Sequence, residues 1–278
     1  MTTNMESIFL ENEHKAALEP EKYATPELVQ LACRNGYKGS TTGFAPGFVQ
    51  ANIISVPKEY TKDVLLFAQR NPKPCPLIEL IEDGNVSGKY FKGDIRTDLP
   101  GYRIYKNGEV VEDYVDDVTP YWNGELSTFL FGCSFSFESY LMKVGIKMHH
   151  IDAGKNVPMY RTNIECEPTE KLKGHMVVSL RAMPSGQIAL ASDVTSHFVR
   201  THGSPIHVSN PAEIGITDIN KVDFGDAPII PEGEIPVFWA CGVTPQIAIL
   251  ESKVPFAISH YPGMMALLDM KDEDLMNW

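Results

Sequence analysis

The sequence has no surplus of positive charge, no long apolar run and no closely paired cysteines, and each lack removes a class of function. Lys and Arg number 24 against 36 Asp and Glu, a formal net charge of −12. So acidic a chain, with no basic block, is poorly suited to nucleic-acid phosphates or to an anionic membrane surface. No apolar stretch reaches the ~18 residues of a membrane span. The opening segment MTTNMESIFLENEHKAALEP lacks the positive and then apolar regions of a secretory leader. The five cysteines, Cys33, Cys75, Cys133, Cys166 and Cys241, are odd in number, and none sits at C-x-x-C spacing. That argues against a disulfide framework or a zinc knuckle, and for a reducing cytoplasm. The phosphate loop, the dinucleotide fingerprint G-x-G-x-x-G and the nucleophile elbow G-x-S-x-G are also missing.

What is present is an ordinary globular composition, 43% hydrophobic and 22% charged over 278 residues, with enough chain to bury a core without staples. Residues 1–20 read as a polar arm. Thr25-Pro26-Glu27 reads as an N-cap with proline at the first helical position, opening a helix to about Asn35. Strands are expected at 50–56 and 77–81, a helix at 58–71, and a hairpin around Asn107-Gly108. The second half alternates strands at 128–132, 146–151, 163–166, 176–180, 206–208, 236–239 and 256–259 with helices at 137–144, 188–199 and 245–251. Such strand–helix–strand units predict a mostly parallel sheet covered by helices, with 154–212 as a small two-layer α+β unit set into a larger domain of 1–153 and 213–278.

One internal similarity stands out. Phe129-Leu-Phe-Gly-Cys133-Ser134-Phe-Ser136-Phe-Glu138 and Val237-Phe-Trp-Ala-Cys241-Gly-Val-Thr244-Pro-Gln246 are both an apolar strand, a small residue, a cysteine, a hydroxyl residue three on and Glu or Gln five on. A duplicated half would leave this pattern. A cysteine at a strand-to-helix turn faces backbone N–H groups that favour a thiolate, making Cys133 and Cys241 candidate proton carriers or nucleophiles. The plainer reading is a small buried hydrophobe. Ser134, Ser136, Glu138, Thr244 and Gln246 follow in the first turns and are candidates to hold a carboxylate substrate. So are Asn156, Tyr160, Arg161 and Thr162 on the loop after Gly154, and Arg181 at a strand end, since arginine grips carboxylates with two parallel bonds. His202, His207 and His260 are the candidate proton-transfer histidines. Zinc on His149, His150 and His260 matches no standard ligand spacing, so no metal is expected.

Taken together, GFAPGFVQANIISVP (43–57), FAQRNPKPCPLIEL (67–80), FGCSFSFE (131–138), KNVPMYRTNI (155–164), HGSPIHV (202–208) and EIPVFWACGVTPQ (234–246) resemble the putative hydro-lyase family, also called the D-glutamate cyclase family. The resemblance runs from about residue 25 to 270. It implies an α/β fold, a three-layer αβα sandwich with a smaller two-layer domain. It also implies a water-eliminating carbon–oxygen lyase that interconverts 5-oxo-D-proline plus water and D-glutamate. That chemistry needs no cofactor, because the substrate carries its own nucleophile. Two other readings stand beside it: a non-catalytic binding protein for a small carboxylate, and a cofactor-independent racemase using two opposed thiols. The expected partner is a small carboxylate, with no nucleic acid and no membrane. A homo-oligomer is compatible with a sequence that does not itself give the oligomeric state.

Overall fold

The computed structural model describes residues 20–41 and 43–276; the arm read at 1–20 lies, up to residue 19, outside them. The chain belongs to the mixed α/β class and divides into two compact units. The first comprises residues up to Thr61, Glu79–Leu130 and Lys253–Asp272; the second comprises Lys62–Ile78, Phe131–Ser252 and the segment from Glu273.

The first unit holds most of a seven-stranded sheet, of which residues 77–78 and 131–132 at strand ends belong to the second. Its strands are β1 (Phe48–Pro57), β2 (Leu77–Ile81), β3 (Tyr102–Lys106), β4 (Glu109–Val115), β5 (Leu126–Gly132), β10 (Ala257–His260) and β11 (Ala266–Lys271). They are ordered β2-β5-β1-β10-β3-β4, with β11 pairing a further length of β1. The expected mostly parallel arrangement does not form. β1 pairs antiparallel with β10 and β11, as do β10 with β3 and β3 with β4. The Asn107-Gly108 turn explains one of these pairings. Both residues take positive φ, 51° and 81°, the geometry that lets a two-residue turn follow the twist of its strands. Helix α1 (Pro26–Arg34) starts where expected, with Thr25 accepting the Leu28 N–H at 3.4 Å. It packs an aromatic group in which Tyr23 stacks on Phe44 at 4.3 Å. Strand β11 escaped the sequence reading because His260-Tyr-Pro-Gly263 reads as the end of an element.

The second unit holds a four-stranded antiparallel sheet of β6 (Met159–Glu165), β7 (His175–Pro184), β8 (His207–Val208) and β9 (Glu234–Ala240), ordered β6-β7-β9-β8. Segment 154–212 lies wholly inside this unit, and the sheet takes β9 from beyond it. Its helices are α2 (Thr61–Arg70), α3 (Phe135–Lys143), α4 (His149–Asp152), α5 (Ile188–Ser196) and α6 (Thr244–Glu251). The strand expected at 146–151 is a loop leading into α4. The apolar positions Ile146 and Met148 are buried there without pairing.

Strand alternation in β7 sorts two faces. Val178 and Leu180 join Tyr160, Phe238, Ile214 and Ile216 in one apolar cluster. Val177 joins Val157, Met159, Cys241, Val243 and Ile247 in another. Ser179 and Arg181 share the face of Val177, opposite Trp239 and Val237 of β9.

Candidate functional site

Arg181 is the hub of the second unit. Its residue is 2% exposed, a place where an arginine persists only if its charge and donors are met. Nε donates to Glu138 Oε1 at 3.0 Å, Nη1 to Ser179 Oγ at 2.6 Å, and Nη2 to Ser134 Oγ at 2.9 Å and again to Glu138 Oε1. The guanidinium lies 5.3 Å from the Phe137 ring centroid and 5.6 Å from that of Trp239. One end of β7 is thereby fastened to the first turn of α3. Ser134 occupies the N-cap position of that helix but makes no capping bond with its side chain; its hydroxyl serves the arginine instead.

Glu138 is buried with it. Burial alone would push its carboxyl up, but the Arg181 charge and the neighbouring His150 hold it below the ordinary glutamate value. His150 Nε2 stands 3.2 Å from Glu138 Oε1, an ion-pair distance without hydrogen-bond alignment. Arg181 and Glu138 were expected to meet the substrate. Four N–H contacts of the guanidinium are instead committed inside the protein, and the carboxylate it grips is the protein's own.

The two cysteine turns match in detail. The backbone N–H of Phe135 hydrogen-bonds Cys133, and that of Val243 hydrogen-bonds Cys241, each from two residues on. Ser136 N–H donates to Cys133 O at 3.2 Å, and Thr244 N–H to Cys241 O at 3.0 Å. Both thiols feel the Arg181 charge, and Cys133 feels Cys241. The expected thiolates are nonetheless not the resting form. Burial dominates the favourable amides and raises Cys133 to about 12 and Cys241 to about 11, so both are neutral thiols at neutral pH. The Cys241 thiol points at Met159 Sδ, 3.6 Å away. The repeat goes no further than these turns, since the segment after α3 forms no strand.

Other expected residues fall outside this cluster or are already engaged. Thr244 Oγ1 accepts the Val177 N–H at 3.0 Å and donates to Cys241 O at 2.7 Å, tying α6 to β7. Gln246 is buried in the first turn of α6. Tyr160 donates its hydroxyl to Ile219 O at 2.7 Å and Thr162 to Met176 O at 2.7 Å. Asn156 Oδ1 accepts the Val157 N–H at 3.0 Å. Arg161 is exposed, 5.8 Å from the Phe224 ring centroid, and borders a groove of about 290 Å³ shared with Lys221, Asp218 and Asp223. His207 opposes Phe238 in the sheet and bonds Asn210 O through Nε2 at 2.7 Å, so it belongs to the other sheet face. His260 is in the first unit, with Nε2 3.0 Å from Asn52 Oδ1 and Nδ1 2.8 Å from Tyr261 O.

His202 lies in the same unit as the cluster, and the Arg181 charge acts on it. The segment carrying it presses on Gly132, the residue before Cys133. A Cβ there would lie 1.9 Å from Arg200 O, so only glycine admits the contact. Ser179, Phe137 and Trp239 were missed as partners of Arg181. Strand periodicity could have found Ser179, which lies two residues before Arg181 and so on the same face. Among the described residues, no three His, Cys, Asp or Glu side chains are grouped as a metal site, and no helix is long and apolar enough to cross a membrane.

Comparison with known proteins adds an independent line. A family model described as D-glutamate cyclase matches residues 127–269, a span that contains the whole cluster. A protein of Saccharopolyspora erythraea named putative hydro-lyase is 49% identical over 252 residues, covering 91% of this chain and 99% of its own. One of the same description from Acinetobacter baylyi is 48% identical over 262 residues, covering 92% of this chain and 97% of its own. Among solved structures, a nitrogen repressor-like protein from Methanococcus jannaschii aligns with a TM-score of 0.36 at 9% identity, over 84% of this chain and 90% of that one. So low a likeness carries no argument.

Proposed function

The chain belongs to the D-glutamate cyclase family, and from that premise we propose that it is a water-eliminating lyase interconverting D-glutamate with 5-oxo-D-proline plus water. The observation that carries the reading is the pair of matched cysteine turns set around one buried arginine.

In the closing direction the substrate nitrogen attacks the γ-carboxyl carbon. A C–N bond forms and a C–O bond breaks. The ammonium gives up two protons, and the departing oxygen receives two to leave as water, so the step is redox-neutral. Neutral thiols suit the second half of that traffic. A protonated Cys133 or Cys241 can donate to the departing oxygen and be reprotonated afterwards. The amides that face the two sulfurs also favour negative charge at those turns, which suits the oxyanion of the tetrahedral intermediate. Arg181 and Glu138 act by holding the α3 turn in place, as positioning residues.

The test is an NMR time course started from D-glutamate and, separately, from 5-oxo-D-proline. The parent protein should bring both to one mixture. Cys133→Ser and Cys241→Ser should fold with near-parental melting temperature and lose turnover by roughly 10²-fold, the scale of one acid–base group. No turnover in either direction by the parent refutes the reading. The matched thiols also fit exchange of the Cα proton, as in a two-thiol racemase. Run in deuterated water, the same time course reads that activity as loss of the Cα proton without ring closure.

A further inference from the structure

His202 carries three features that packing alone does not explain. It takes φ 88°, a left-handed conformation that is strained for a non-glycine residue. It is 1% exposed. Its Nδ1 lies 2.7 Å from the Lys73 carbonyl oxygen, which can only accept, so Nδ1 carries the proton and Nε2 presents a lone pair. That Nε2 is buried and has no hydrogen-bond partner. Unmet buried acceptors are rare in native proteins and mark places kept open for something else.

The surroundings hold this arrangement rigidly. Lys73 sits between Pro72 and Pro74, and its own ammonium returns to Ser204 O at 2.9 Å. The Thr201 and Gly203 N–H groups both donate to Phe198 O at 2.9 Å. Arg200 rests against Gly132 beside the Cys133 turn. Ser136, in the first turn of α3, supplies a second buried polar atom without a partner, its hydroxyl oxygen.

We propose that the open Nε2 of His202 accepts the N–H of the bound ligand, the ring N–H of a lactam or the ammonium of the amino acid, and takes the proton that leaves nitrogen on ring closure. This rests on the cyclase reading and supplies the proton acceptor it lacks. The first of the two nitrogen protons passes from the ammonium to the γ-carboxylate as the amine is freed; as the C–N bond then forms, the second passes to Nε2 while a thiol proton passes to the γ-hydroxyl, which departs as water. The His202 imidazolium then returns its proton to the thiolate, which restores both groups and completes the two-proton balance. Burial and the Arg181 charge depress the imidazolium to about 4, so His202 is neutral at neutral pH and holds the proton only in transit.

The experiment combines 15N-histidine NMR of the parent with binding of two probes, 5-oxo-D-proline and its ring-oxygen analogue 5-oxotetrahydrofuran-2-carboxylate, which lacks the N–H. In the free protein His202 should be protonated at Nδ1 and bare at Nε2. 5-oxo-D-proline should move the Nε2 resonance, and the oxygen analogue should bind at least tenfold more weakly. His202→Asn keeps a donor for Lys73 O and tolerates a positive φ, but has no Nε2. It should fold and bind the two probes alike. An Nε2-protonated tautomer, a bound lactam that leaves Nε2 unmoved, or a tenfold preference that persists in His202→Asn overturns the proposal while the cyclase reading stands. A parent that binds neither probe refutes the substrate class, and the N–H assignment with it.

Discussion

Glu138→Leu and Arg181→Leu, made singly and together, test whether the hub is a coupled pair. Each single change strands a full charge that is buried and, in the intact protein, bonded by its partner. For Arg181, losing Glu138 removes two of its four hydrogen bonds and leaves the cation between two rings and two serines. An uncompensated buried charge of this kind typically costs about 3–5 kcal/mol. The double variant strands neither charge, and leucines restore apolar contact with Phe137 and Trp239. Its cost should fall well below the sum of the singles, by about 2 kcal/mol or more of coupling. Urea unfolding of the four proteins gives the cycle directly. Turnover should be lost in all three variants, because the α3 turn is no longer fixed. Additive stabilities, or a single variant within about 0.5 kcal/mol of the parent, would refute the view that the pair is mutually compensated.

Gly132→Ala places a Cβ 1.9 Å from a backbone carbonyl. It should destabilise by about 1–3 kcal/mol and lower turnover by shifting the His202 segment; a parental melting temperature would contradict the close approach. Stability should also fall as the solution is acidified. Burial depresses both His202 and His260 to about 4, against about 6.5 in the unfolded chain. Between those values the unfolded chain binds protons that the folded chain refuses, so stability is full above about pH 6.5 and is lost as pH falls, by about 2 kcal/mol per histidine at pH 5. Glu138, held below its ordinary value, adds to the loss at still lower pH. Equal urea midpoints at pH 7 and pH 5 would refute this.

Much of the site was legible because its chemistry sits in short stretches of sequence. A cysteine after an apolar strand and before a helix, read at 133 and again at 241, predicted two matching turns. Two backbone bonds repeat between them, the N–H two residues on reaching each cysteine and the N–H three on reaching its carbonyl, while α6 starts one position later than α3. Local sequence could not show which term would win at the sulfur: it carries the favourable amides but not the depth of burial. Nor could it show that Arg181 and Glu138, 43 residues apart, would spend themselves on one another. Sheet direction failed for a similar reason. Apolar runs at 48–57 and 257–260 are equally good parallel or antiparallel strands, and long-range pairing decides. The Asn107-Gly108 hairpin was readable because a two-residue turn needs positive φ at both residues. The strain at His202 was not, because nothing in Thr-His-Gly-Ser marks the histidine as left-handed beside the glycine, whose own φ is 64°.

The most direct measurement is a crystal structure of the protein soaked with 5-oxo-D-proline. The account predicts the lactam ring against Cys133 and Cys241, with its N–H on His202 Nε2 and the Arg181–Glu138 pair intact behind it. Ligand density in the groove bordered by Arg161 and Lys221, with the cysteine turns unchanged and bare, would contradict it.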